Sequence, residues 1–151
     1  MMLKERWRMR EGSLNSAKVR FLRIDYERVL DYLKKYASKI VERGDAELVI
    51  LFGSLARGDY TGTSDADLLI ISNKAKERFI DRAIKFMDPR APIPIEPIVL
   101  TFNEAIEAAR RGSLFMREAL RVGIILAGDR SLHKELAQNL KSEEEVMEHS
   151  G

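Results

Sequence analysis

Cysteine is absent from the 151 residues. No disulfide framework, thiolate metal site or cysteine nucleophile is therefore available. Histidine is scarce: only His133 and His149, both near the end of the sequence, where a histidine-based zinc site is not expected. No apolar run approaches the ~20 residues of a membrane-spanning helix, and the first residues lack the apolar region of a signal peptide. The expectation is a cytoplasmic protein with no membrane partner. A strong excess of one charge is missing too. Twenty-six Lys and Arg face 24 Asp and Glu, for a net charge of +2, so the whole surface is not a nucleic-acid footprint. A single glutamine in a chain that is 33% charged follows the compositional bias of thermophile proteins.

The length suits one compact domain with short extensions. Residues 1–20 are basic, with Lys4, Arg6, Arg8, Arg10, Lys18 and Arg20, and show no clean period. They read as a solvated arm, with contact to RNA or to a partner through Trp7 as the functional alternative. The domain is expected over 21–130 and an acidic tail over 131–151, read from Ser131 as a frayed helix. Within the domain, Asp25 is expected to open a helix. Tyr26, Val29, Leu30, Leu33, Tyr36, Ala37, Ile40 and Val41 recur at three- and four-residue spacing, and Gly44 stops them. "AELVILF" (46–52) and "DADLLIIS" (65–72) read as buried strands, too close in sequence for a helical crossover and so antiparallel. Between them lies a turn-rich connection with one helical turn after Ser54. A helix is expected over 74–87, with Phe79, Ile80, Ala83, Ile84 and Met87 on one face. A third strand follows over 92–101, its prolines at its start or on a sheet edge. Then come a helix from Asn103 as its cap to Gly112, a helix from Ser113 to near Gly123, and a short strand over 124–129. On helix 113–121 the stripe Leu114, Phe115, Arg117, Glu118, Leu120 and Arg121 reads as core or as partner surface, with its apolar members expected in the core. The class is α+β, a small mixed sheet packed by helices.

The chemistry is concentrated in "LFGSLARGDYTGTSDADLLII" (51–71). A glycine just past a strand lets backbone N–H groups approach a bulky anion. Ser54 adds a hydroxyl donor, and Arg57 can reach the same anion as a fork. Asp65 and Asp67 lie two apart on a strand, so they project to one face with backbones ~7 Å apart. Two ionised carboxylates so placed repel. A hard divalent cation resolves the conflict, since Mg²⁺ takes one or two carboxylates together with phosphate oxygens. Glu96, alone in "IPIEPIVL", is costly within an apolar strand unless paired or bound to metal; the alternative, which the flanking prolines favour, is an edge residue facing water. If its strand lies beside 65–72, it joins the other two.

"GSLARGDYTGTSDADLLI" resembles the signature of the polymerase-β-type nucleotidyltransferases: Gly-Ser, a spacer with Arg-Gly, then Ser-Asp-x-Asp-Leu on the next strand. The small size is similar to the minimal branch, which consists of the catalytic domain alone. The resemblance implies that Gly53 and Ser54 bind the β- and γ-phosphates of ATP and that Arg57 contacts phosphate. It implies that Asp65, Asp67 and Glu96 ligate Mg²⁺ in a two-metal site. Glu96 departs from the family pattern, where the third acid is usually Asp. The resemblance further implies transfer of AMP to a hydroxyl of a macromolecule, with a helical HEPN-type toxin as partner and this chain as antitoxin. The alternatives are a nucleotide-binding antitoxin that neutralises its partner by contact, and an RNA-binding protein using the basic arm.

Overall fold

The computed structural model describes residues 12–61, 64–75 and 78–141, with side-chain surroundings from Tyr26 onward, Phe79 excepted. The elements run α1 (Gly12–Glu42), β1 (Leu48–Phe52), α2 (Ser54–Arg57), β2 (Ala66–Ile71), α3 (Phe79–Phe86), β3 (Ile95–Leu100), α4 (Phe102–Arg111), α5 (Leu114–Val122), β4 (Ile124–Gly128) and α6 (Arg130–Gln138). The four strands form one mixed sheet in the order β3-β2-β1-β4. β1 is antiparallel to both β2 and β4, and β2 is parallel to β3. The fold is the α+β mixed sheet expected.

Both faces of the sheet are covered, which is why β1 and β2 read as continuous apolar runs rather than alternating ones. On one face Val29, Leu33, Ala37 and Ile40 of α1 meet Val49, Leu51, Leu68 and Ile70. On the other, Met116, Ala119 and Leu120 of α5, Ala105, Ala108 and Ala109 of α4, and Leu136 of α6 meet Leu48, Ile50, Leu69 and Ile71. α1 ends as its spacing foretold: the Gly44 N–H reaches the Val41 carbonyl at 2.9 Å with Gly44 at φ 80°.

Several boundaries differ from the expectation. α1 starts at Gly12 rather than Asp25, so its first turns lie within the stretch read as a frayed arm. The segment after Ser131 is no tail at its start: α6 runs to Gln138 and its Leu136 is fully buried. The rest of both extensions, residues 1–11 with Trp7 and residues 142–151 with His149, falls outside the described residues. Thr101, not Asn103, caps α4, in a reciprocal capping box with Glu104. Leu114 is exposed rather than in the core, while Phe115 is half-buried and Leu120 buried.

α3 turns a different side inward from the one expected. Ile80, Ile84 and Met87 are exposed, whereas Phe86 and Arg82 are buried. Arg82 decides this. Its guanidinium forks onto Glu104 at 2.6 and 3.2 Å and also reaches the Val99 carbonyl at 3.3 Å. The same Glu104 closes the α4 capping box, so one carboxylate ties α3, β3 and the start of α4 together. That fork holds Glu104 below the ordinary carboxylate range. It also braces the outer strand, β3, which has only one neighbour in the sheet. Pro97 sits on this edge strand, where its missing N–H leaves no gap in the ladder.

Candidate active site

The candidate residues gather where β1 ends and β2 begins. Antiparallel pairing places Phe52, the last residue of β1, opposite Asp67. The next residue, Gly53, therefore starts its turn beside that carboxylate. Gly53 is buried and has φ 80°. A methyl group there would lie 2.2 Å from Asp67 Oδ2. Glycine is thus required twice over, by the left-handed backbone and by the close approach of the acid.

Ser54 opens the single turn α2. Its hydroxyl donates to Ser64 Oγ at 3.1 Å, and Ser64 Oγ also accepts the Thr61 N–H at 2.8 Å. The two ends of the connection are thereby tied, which fixes the approach to Asp65. Tyr60 in the same connection stacks on Tyr26 of α1, with ring centroids 5.0 Å apart and an interplanar angle of 10°. Tyr26 also donates to the Leu55 carbonyl at 3.2 Å. Gly58, at φ 90°, closes α2.

Parallel pairing of β2 with β3 sets Glu96 directly beside Asp67. Glu96 is thus a cross-strand neighbour of Asp67, and it is exposed on the edge strand, where it also faces water. Glu96 is pushed above the usual carboxylate range, first by burial, then by the charges of Asp65 and Asp67, and it hydrogen-bonds to both. Asp67 is raised as well, by burial and then by Asp65; its hydrogen bond with Glu96 works the other way. Among the described residues no group of three or more His, Cys, Asp or Glu stands ready-made as a metal cage. Hard oxygen donors at the start of β2 and on β3 are the kind of donor that suits a hard divalent cation.

These shifts carry a pH dependence. A carboxyl whose pKa is higher in the folded chain binds more protons there than in the unfolded chain. Stability from it is present at low pH and is lost as pH rises from about 4 through the raised values. In the metal-free protein, the melting temperature of Glu96→Gln relative to wild type should therefore climb as pH increases across that window, in thermal melts at a series of pH values. Added Mg²⁺ should narrow the gap at pH 7 by stabilising wild type, with its three acids, more than the variant. A gap independent of pH would show that the acids do not interact.

Arg57 is exposed and already engaged. Nε donates to Asp59 Oδ2 at 3.3 Å, and Nη1 donates to Glu118 Oε2. The same Glu118 oxygen accepts the Gly53 N–H at 3.1 Å. Glu118 was not a candidate in the sequence, and yet it touches two of the residues that were. The sequence carries no signal for it: only once α5 has docked does Phe115, three residues earlier on the same side, meet Phe52 with ring centroids 6.5 Å apart and bring residue 118 near residue 53. Two further clefts, of about 330 and 410 Å³, lie on the α1–α3 side of the fold. They share Arg43 and Lys85 and contain none of the residues above.

A mixed sheet with a glycine–serine turn after one strand and paired aspartates on the next defines the nucleotidyltransferase class. The sequence profile described as the nucleotidyltransferase domain matches residues 30–126, so the chain belongs to this family. A Methanocaldococcus jannaschii protein, named as a protein adenylyltransferase, is 45% identical over 51 residues. That match covers 34% of this chain and 51% of the relative; the chain spans about half the length of the curated relative it matches. A crystal structure of a toxin–antitoxin with AMP-PNP superposes with a TM-score of 0.51 at 14% identity, over 77% of this chain and 87% of that one. It supports the fold alone. A Sulfolobus solfataricus structure described as a nucleotidyltransferase covers 66% of this chain and 84% of its own at 26% identity, with a TM-score of 0.41. No helix among the described residues is long and apolar enough to cross a membrane.

Proposed function

We infer that this protein transfers AMP from ATP to a hydroxyl group of a macromolecular acceptor and releases pyrophosphate. One observation carries the reading: Asp67 stands between Gly53 and Glu96, so a triphosphate held at the turn lies against the acids. In this reading Gly53, Ser54 and Arg57 hold the β- and γ-phosphates. Asp65, Asp67 and Glu96 hold Mg²⁺. Bound there, the divalent cation neutralises phosphate charge and lowers the pKa of an attacking hydroxyl. The protein's own contribution is position and charge. The Ser54–Ser64 and Tyr26–Tyr60 contacts keep the turn and the strand in fixed relation, and Arg57 supplies a cation to the oxygens of the leaving pyrophosphate.

The acceptor in this reading is a helical HEPN-type toxin, and the chain acts in the cytoplasm as its antitoxin. The relative named as a protein adenylyltransferase supports a protein acceptor. In this reading adenine is the base and a toxin the partner, as in the toxin–antitoxin with AMP-PNP whose fold is shared. The test is incubation with Mg²⁺, the HEPN-type protein and ATP labelled at either the α- or the γ-phosphate. The expected result is label on the partner from α-labelled ATP only. Label from the γ-position would make the protein a kinase. A tight complex without label would leave a nucleotide-binding antitoxin that works by contact.

A further inference from the structure

Two donors expected to meet phosphate already meet an anion, and that anion belongs to the protein. Glu118 Oε2 takes the Gly53 N–H at 3.1 Å together with the Arg57 guanidinium. A carboxylate oxygen and a phosphate oxygen ask for the same partners: N–H donors and a positive charge. Glu118 comes from α5, 65 residues further along the chain than Gly53. Packing does not require it there. α5 is fastened to the sheet by Met116, Ala119 and Leu120, all buried, while the Glu118 side chain is 29% exposed. Electrostatics among the acids does not favour it either, since its charge adds to the burden on Asp67. What holds Glu118 in place is the pair of donors in the turn.

The geometry points to Glu118 as a resident anion of the phosphate cradle, an internal occupant that a nucleotide's phosphate group must displace before it can bind. This rests on the reading that Gly53 and Arg57 hold nucleotide phosphates. Two arrangements then exist. In one, Glu118 is seated and the cradle is closed to ligand. In the other, Glu118 has turned out to solvent, and the Gly53 N–H and Arg57 face the incoming oxygens. Only the second binds nucleotide, so the observed affinity is the intrinsic one reduced by the fraction of molecules that are open. A triphosphate presents several charged oxygens against one carboxylate and so displaces it. Glu118 thereby keeps Arg57 and the Gly53 N–H ordered and shields them from stray monoanions, while it holds nucleotide affinity below what the cradle could reach.

The experiment is Mg·ATP binding to the full chain by calorimetry, with association and dissociation rates for a fluorescent ATP analogue by stopped flow, in wild type, Glu118→Gln and Glu118→Ala. Both variants are expected to bind about tenfold more tightly, because a charge-assisted contact of this kind no longer competes. The gain should lie in the association rate, since more molecules stand open. Circular dichroism and melting curves check the fold; Glu118→Gln keeps the side chain's shape and decides the matter if Glu118→Ala is unstable. Equal or weaker binding than wild type, or a gain confined to the dissociation rate, would overturn the proposal and make Glu118 a brace for Arg57. In that case wild-type binding leaves the functional reading standing. If neither wild type nor either variant binds Mg·ATP, both the reading and this inference fall, and wild type alone tells that outcome from the first.

Discussion

Asp67→Asn is expected to lower nucleotidyl transfer by about 10³-fold while raising the melting temperature of the metal-free protein. The loss follows from taking away a charged ligand where the reading places the cation, whose stabilisation of developing charge amounts to several kcal/mol. The gain follows from the same side chain. Asp67 is driven up by burial and by the charge of Asp65, so at neutral pH its ionised form is a burden on the folded chain. A neutral amide of equal size removes that burden. Activity and stability therefore move in opposite directions, which separates loss of a functional group from simple unfolding. The double variant Asp65→Asn/Asp67→Asn should show no Mg²⁺-dependent ATP binding by calorimetry. Unchanged nucleotide affinity there would remove both aspartates from the site.

Gly53→Ala should abolish nucleotide binding and also destabilise the fold, by about 2 kcal/mol or more. At φ 80° and ψ −158° Gly53 lies in a backbone region nearly confined to glycine, which costs a residue with a Cβ ~1–3 kcal/mol. The added methyl would in addition fall 2.2 Å from Asp67 Oδ2, a distance no carbon–oxygen contact sustains, so either the carboxylate or the turn must shift. The two causes separate in a double-mutant cycle with Asp67→Ala. Without the carboxylate the steric part vanishes, and Gly53→Ala should then cost only its backbone strain. Denaturant melts of the four proteins read this directly. Additive effects would show that residue 53 does not meet Asp67.

Much of this arrangement could be read from the chain. "LVILF" and "LLII" are apolar without alternation because helices cover both faces of the sheet, and a run of that kind is visible in sequence. Asp65 and Asp67 stood out because ionised acids have no reason to open a buried strand. Glu96 stood out in the same way, and the parallel β2–β3 pairing brings it to them. What could not be read has physical reasons. The first turns of α1 pass through a basic stretch with no apolar period to mark a helix. α6 lies where a frayed helical tail was expected; its place in the core was masked by the acidic residues that follow, although Leu132, Leu136 and Leu140 recur at four-residue spacing and pack on one core. The inward side of α3 is set by the Arg82–Glu104 fork, a contact across 22 residues that outweighs the apolar stripe of Ile80, Ile84 and Met87. Glu118 reaches Arg57 across 61 residues, so its charge announces nothing until α5 has docked.

The pairing of Asp67 with Glu96 has one more consequence. Neighbouring side chains along a strand point to opposite faces, so sliding β3 by a single position would carry Glu96 to the far side of the sheet. The stretch 87–94 that feeds this outermost strand thus acts as a ruler for the third acid. An insertion or deletion of one residue there could leave the domain folded and melting normally, and still silence it.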